Sequence, residues 1–253
     1  MDVLSTVDLL LCEDTRVTRK LLTHYGIGTP VASFHAHTTV AERAKWVERL
    51  STQDLALVSD AGMPTLSDPG AELVAEADRH GHEVRSVPGP SAPAAALSVS
   101  GLPAAPHVFV GFLPRRAGQR AAMLESLASL PWTLVFFEAP HRLRRTLDAL
   151  FTGLGDRELS VSRELTKLYE ETWRGTLSEA QTRWRDLAPR GEYTLVVSGA
   201  PQTPAEPWPD ERVVTALTEL QAAGMGAKEA SRRVAEQAGH PARHIYRLWP
   251  HHD

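Results

Sequence analysis

The chain of 253 residues contains one cysteine, Cys12, so no internal disulfide can form. Cysteine this sparse points to an intracellular setting. No apolar run approaches the length of a membrane span. The opening, MDVLSTVDLLLCED, has no basic leader and is broken by Asp2 and Asp8, so it is not read as a signal peptide. Lysine is scarce, at positions 20, 45, 167 and 228 only, and nearly all positive charge is arginine. A net charge of -4 excludes a surface coated in positive charge. Nucleic acid, if bound, must be met by local patches. Neither a G-x-G-x-x-G run nor a P-loop occurs, which removes the common dinucleotide and nucleotide fingerprints.

What is present is ordinary globular composition, 42% hydrophobic and 23% charged, enough for one large domain or two smaller ones. The first part alternates strand and helix signals. Strands are predicted over 7–13, 31–37, 54–59 and 82–87. Helices are predicted from Asp14 or Thr15 to Gly26, over 38–50, from Asp68 as cap with Pro69 at its first position to about Gly81, and from Ser91 to Gly101. Such alternation implies an α/β fold with a mostly parallel sheet, whose ligands bind beyond the carboxyl ends of the strands.

A second, mixed α/β unit starts near HVFVGFLP at 107. It carries strand signals at 132–138, 158–164 and 193–199, helices at 140–151 and 178–188, and a further segment at 167–175. PQTPAEPWPD (201–210) is Pro-rich and reads as a linker. The rest is helical, with a stripe of Val213, Val214, Leu217 and Leu220. The expected division is 1–106, 107–200 and a small helical segment, 208–253.

Three loops leave predicted strand ends. The longest is LVSDAGMPTLSDPG (57–70), where Gly62 permits close backbone approach to a ligand and Asp60 offers an acceptor. In VPGPSAPAAAL (87–97), Ser91 and the amides after it open a helix. In CEDTR (12–16), Glu13 and Asp14 stand where a strand hands over to a helix; a helix cap with a local ion pair to Arg16 is the competing reading. His35 and His37 share one face, but no acid follows before Glu42, so no metal site is read there. In FEAPHRLRRTL (137–147), Leu143 and Leu147 form a buried stripe, which turns Arg142, Arg144 and Arg145 outward as a possible phosphate patch. The tail has a helix-turn-helix rhythm with Arg232, Arg233, Arg243 and Arg247, a pattern many helix pairs share.

CEDTRVTRKLL, SFHAHT, LVSDAGMPTLSDPG, VPGPSAPAAALSVSGLP, FVGFLPRR, FFEAPHRL, SRELTKLYEETWRG and GEYTLVVSG occur in this order. Together they resemble the ribosomal RNA small subunit methyltransferase I family, of the tetrapyrrole-methylase-like group. The resemblance covers nearly the whole chain. It implies two α/β domains of tetrapyrrole-methylase type with S-adenosylmethionine bound between them, in a cytoplasmic homodimer. The implied activity is methylation of the 2′-hydroxyl of a cytidine in 16S rRNA.

It also implies site residues. Asp60, Ala61, Gly62, Met63 and Leu66 match one donor loop, and Ser91 and Ala92 a second. Glu138, Leu165, Tyr193 and Thr194 match positions where the second domain closes over the donor. Glu13, Asp14, Glu138 and Glu164 are the candidates for a base or orienting acid. Arg16, Arg142, Arg144, Arg145, Arg163 and Lys167 are the candidates for RNA phosphates.

Three departures stand out. Met63 replaces a usual threonine, Thr38-Thr39 replaces Asn-Glu, and the family's opening strand with its Gly-Asn-Leu loop is not found. The expectation from the last is a start upstream of Met1. Two rival readings are a methylase of a tetrapyrrole or other small molecule and a non-enzymatic nucleic-acid binder acting through the helical tail.

Overall fold

Four apolar residues in succession, Leu9–Cys12, form β1, and every one is buried. A strand apolar on both faces belongs in the middle of a parallel sheet. The computed structural model, which describes residues 1–201 and 207–250, places it there. A short helix α1 (Asp2–Thr6) leads into β1; helix α2 (Thr15–His24) and strand β2 (Val31–Ser33) follow. Helix α3 (Val40–Arg49), strand β3 (Leu55–Val58) and helix α4 (Ala71–Arg79) complete this part. The sheet has order β2-β1-β3, all parallel, with Leu10 between Val31 and Ala56. Leu9 and Leu11 pack with Phe34, Val47 of α3 and Leu73 of α4.

Three expectations are corrected here. Residues 82–87 form no strand, and Val84 and Val87 are half exposed. A strand exists by pairing, and among the described residues none pairs with the outer edge of β3. The second strand stops at Ser33, because the His35 amide donates to the Thr38 hydroxyl (3.0 Å) and the chain turns. The cap of α4 is Gly70, not Asp68. Gly70 sits at φ +128°, and a Cβ there would run into Leu57 Cδ2, so the loop closes on a residue only glycine can supply.

Helix α5 (Ala92–Ser100) precedes β4 (His107–Phe112). Then come α6 (Ala117–Leu127), β5 (Thr133–Glu138), a 3₁₀ turn (Pro140–Arg142), α7 (Leu143–Leu154), β6 (Glu158–Arg163), β7 (Glu171–Thr176), α8 (Leu177–Asp186) and β8 (Tyr193–Val197). The second sheet has order β4-β5-β8-β6-β7; β4 and β5 are parallel and the other pairs antiparallel. Alternation sorts its faces. Leu134, Phe136, Leu195 and Val197 meet α6, α7 and α8, while Val135 and Val196 meet Ala96 and Leu97 of α5. Helix α5 thus lies on the second sheet, although sequence assigns it to the first part. Arg174 of β7 fixes its end by donating to the carbonyls of Val99 and Ser100, a cation at a helix C-terminus. Helix α6 was not anticipated; it buries only Leu124 and Leu127, too few to print a periodic stripe.

The chain divides into compact units Met1–Ala200 and Pro201–Asp253. Residues 202–206, half of the linker expected over 201–210, fall outside the described residues. The second unit holds α9 (Asp210–Ala222), α10 (Ala227–Ala238) and α11 (Ala242–Arg247) around Val213, Leu217, Ala230, Val234, Ala238 and Ile245. Val214, expected in the stripe, is 37% exposed. No helix among the described residues is long and apolar enough to cross a membrane.

Candidate functional site

The parallel sheet aims the ends of β1 and β3 the same way, so Glu13 and the 59–70 loop emerge at one rim. The Ser59 hydroxyl donates toward the carbonyls of Ala61 (3.3 Å) and Gly62 (3.1 Å), folding the loop back on itself. Gly62 lies at φ +79°, open to an approaching group. A Cβ on it would stand 3.6 Å from the Pro90 carbonyl oxygen, and one on Gly89 would stand 3.2 Å from Met63 Sδ. The two predicted donor loops therefore lie side by side. Asp60, Ala61 and Leu66 are exposed on the first of them. In the second, Ser91 is the cap residue of α5 but its side chain makes no capping bond, which leaves the hydroxyl and the first amides of the helix available at Ala92. Ser67 reaches the other sheet: a Cβ on Gly111, at the bulge of β4, would meet its Oγ at 2.9 Å.

Carboxylates gather at this rim. Asp68, which sequence reasoning used only as a cap, is held above the ordinary carboxylate range. Partial burial is the main cause, and the charges of Glu13 and Asp60 add to it. Asp14 points elsewhere. It caps α2 through the Arg16 amide (2.8 Å) and pairs with the Arg16 guanidinium (2.7 Å), which holds it far below that range. The cap reading of Asp14 is the one the geometry displays.

In the second half, Glu138 closes β5 and has no exposed side chain. Its carboxylate accepts from the Ala139 amide (2.8 Å) and from the Thr146 hydroxyl, and pairs with Arg142 (3.2 Å). Arg142 also donates to the Leu113 carbonyl (2.6 Å). Its expected outward course is corrected: a buried carboxylate draws it in. Tyr193 is the strand partner of both Glu138 and Arg163, and buried Thr194 follows it. Leu165 packs with the α5 group of Ala96 and Leu97. Glu164, at φ +51°, accepts from the Glu192 amide (2.9 Å) and Lys167 Nζ (3.1 Å), which lower its pKa. Lys167 also reaches Glu192 (2.9 Å), and Arg163 is paired with Glu171 (2.9 Å). Glu164, Lys167 and Arg163 are thus tied into the second sheet's own loops.

Among the arginines after β5, Arg144 donates to the Trp184 (2.7 Å) and Leu187 carbonyls at the end of α8. Arg145 is exposed on α7. Sequence reasoning named Arg16 but passed over the rest of the basic face to which it belongs. Arg16, Arg19, Lys20 and His24 line one shallow groove along α2, at the i, i+3, i+4 and i+8 positions that share a helix side. That spacing was the available signal.

Two α/β parts with glycine-bearing loops at strand ends define a methylase of the tetrapyrrole type. The model of the tetrapyrrole (corrin/porphyrin) methylases matches residues 1–181. A uroporphyrin-III C-methyl transferase from Thermus thermophilus, solved with S-adenosyl homocysteine, is alike in fold at 17% identity and a TM-score of 0.53, over 78% of this chain and 88% of that one. A ribosomal RNA small subunit methyltransferase I of Synechocystis is 43% identical over 98% of this chain and 90% of its own length. One of Bacillus subtilis is 42% identical over 97% and 86%. The chain belongs to the tetrapyrrole methylase family and, within it, to the ribosomal RNA small subunit methyltransferase I group.

Proposed function

We propose that this chain transfers the methyl group of S-adenosylmethionine to RNA of the small ribosomal subunit. The finer reading is the 2′-hydroxyl of a cytidine in 16S rRNA, modified by a cytoplasmic homodimer. The single observation that carries it is the meeting of the 60–66 and 88–92 loops, Gly62 against Pro90 and Met63 against Gly89, at the carboxyl rim of the parallel sheet. The names of the relatives agree with it. The domain reading is 1–106 and 107–200 around the donor, with 208–253 appended.

The residues fit the donor. Gly62 gives backbone access, Met63 and Leu66 give apolar cover, and Ser91 with the α5 amides at Ala92 offers hydrogen bonds to polar atoms. Asp60 and Ala61 shape the loop floor; Leu165 and Thr194 support the donor from the α5 face of the second sheet, while Glu138 and Tyr193 anchor the strand ends from the opposite face. When bound, S-adenosylmethionine supplies an electrophilic methyl on a sulfonium. The protein's task is to aim a ribose oxygen at it. Asp68, raised by partial burial and then by the charges of Glu13 and Asp60, is the group best suited to accept the hydroxyl proton. Glu138, Asp14 and Glu164, each already paired, act as positioning residues. Phosphates are met by Arg145 and by the α2 face of Arg16, Arg19 and Lys20.

Calorimetric titration of the full chain with S-adenosylmethionine tests the donor site. The expected result is saturable binding, weakened at least tenfold by Gly62→Val. Methyl mapping of small-subunit RNA incubated with the protein and donor tests the substrate. Donor binding with no new methyl on that RNA would overturn the substrate and leave the donor site standing.

A further inference from the structure

The helical tail carries a cluster that the methyl-transfer chemistry does not use. Asp210 opens α9, His240 lies in the turn after α10, and His244 is on α11. One ligand atom from each lies within 4.8 Å of the others. His244 Nε2 stands 3.1 Å from Asp210 Oδ1. Two ligands of a tetrahedral zinc site are about 3.3 Å apart, given metal–ligand distances near 2.0–2.1 Å. His240 Nε2 lies 2.9 Å from the Trp208 carbonyl oxygen. A carbonyl can only accept, so this ring nitrogen carries the proton and the other, Nδ1, keeps its lone pair. A backbone carbonyl that fixes the tautomer is the usual outer partner of a metal-binding histidine.

We propose that Asp210, His240 and His244 form a binding site for a divalent transition-metal ion, zinc in the first place. Two imidazoles and one carboxylate select zinc, cobalt or nickel over magnesium and calcium, which take oxygen ligands. Three protein ligands leave a fourth position for water. The two histidine rings are stacked with centroids 4.5 Å apart, so the imidazoles already lie together beside Asp210. The location gives the ion a structural effect. It would tie the first residue of α9 to the α10–α11 junction, beside the bond from the Trp208 amide to the Ala238 carbonyl (2.9 Å). Among the described residues the tail's core has six buried apolar side chains with partly buried neighbours around them, and units this small gain most from such a staple.

The test is calorimetric titration of the full-length, metal-stripped chain with zinc chloride, beside magnesium chloride, with thermal unfolding read in parallel. The expected result is one saturable zinc site in the micromolar range or tighter and no magnesium binding. Zinc should raise the transition temperature of the tail, and cobalt should give the visible absorption of a four-coordinate ion. Asp210→Asn, at an exposed position, and His240→Gln should each lower zinc affinity at least tenfold with unchanged far-UV circular dichroism. A chain with His251→Ala and His252→Ala, which removes the other histidines near the terminus, should bind as before. Zinc binding that survives Asp210→Asn and His240→Gln, or that vanishes with the terminal histidines, overturns the proposal. So does the absence of saturable binding.

Discussion

Glu13 and Glu138 both stand at the carboxyl end of an interior strand, yet they have opposite fates. Glu13 follows the buried β1 and is exposed, among carboxylates that no cation neutralises strongly enough to hold Asp68 down. Glu138 is sealed, with Arg142, Thr146 and the Ala139 amide around it. The first part gathers Glu13, Asp60 and Asp68 at an open rim, beside an Asp14 paired with Arg16. The second part uses its acids as internal fastenings. A site that must take in a donor and an RNA chain needs the first kind of surface, and a scaffold that holds it needs the second.

The largest expected effect breaks a fastening. Glu138→Ala leaves Arg142 buried without its carboxylate and should cost about 3 kcal/mol, read by urea unfolding of the full chain. A loss below about 1 kcal/mol would show that the buried pair does not distinguish the two halves. Next in size is a pair of opposite pH slopes. Glu164 is lowered in the fold, so its stabilisation is present above the ordinary carboxylate range and is lost as pH falls through the folded value. Asp68 is raised, so its contribution is present at acid pH and is lost as pH rises through its folded value. Glu164→Gln should therefore lose stability at neutral pH, and Asp68→Asn should gain it. Both differences should shrink on acidification toward pH 3. Slopes of the same sign would erase the contrast. The smallest effect concerns neighbours on α7. Arg145→Ala should change stability by less than about 0.5 kcal/mol while lowering the salt slope of RNA binding by about 1. Arg144→Ala should instead lose stability, because the last carbonyls of α8 lose their donor. An unchanged salt slope for Arg145→Ala would remove that side chain from the RNA face.

Local chemistry made much of the fold legible. The apolar run before Glu13 and the turn-rich stretch after Val58 give β1, β3 and the long loop directly. The Thr39–Glu42 capping box marks the start of α3. What escaped reading depends on partners distant in sequence. HEVRSV has strand composition, but among the described residues no strand pairs with it, and most of it stays exposed. Arg142 follows Glu138 into the interior, against the outward face its helix periodicity suggests. The acid cluster unites positions 13, 60 and 68, which only parallel pairing of β1 and β3 brings to one rim. The tail cluster joins position 210 to 240 and 244, which only the packing of the tail helices brings together.

Helix α5 makes the border between the two α/β parts differ in sequence and in space. Its leading residues, Ser91 and Ala92, follow Pro90, which meets Gly62, while its body lies on β5, β6 and β8 and its last carbonyls are held by Arg174. A cut at residue 106 would strip one face of the second sheet and leave an apolar helix dangling from the first part. Neither fragment would then be soluble by itself, and mixing the two should restore a single particle. The chain is therefore laced across its own midpoint, and the lace ends at the place where the methyl donor is expected.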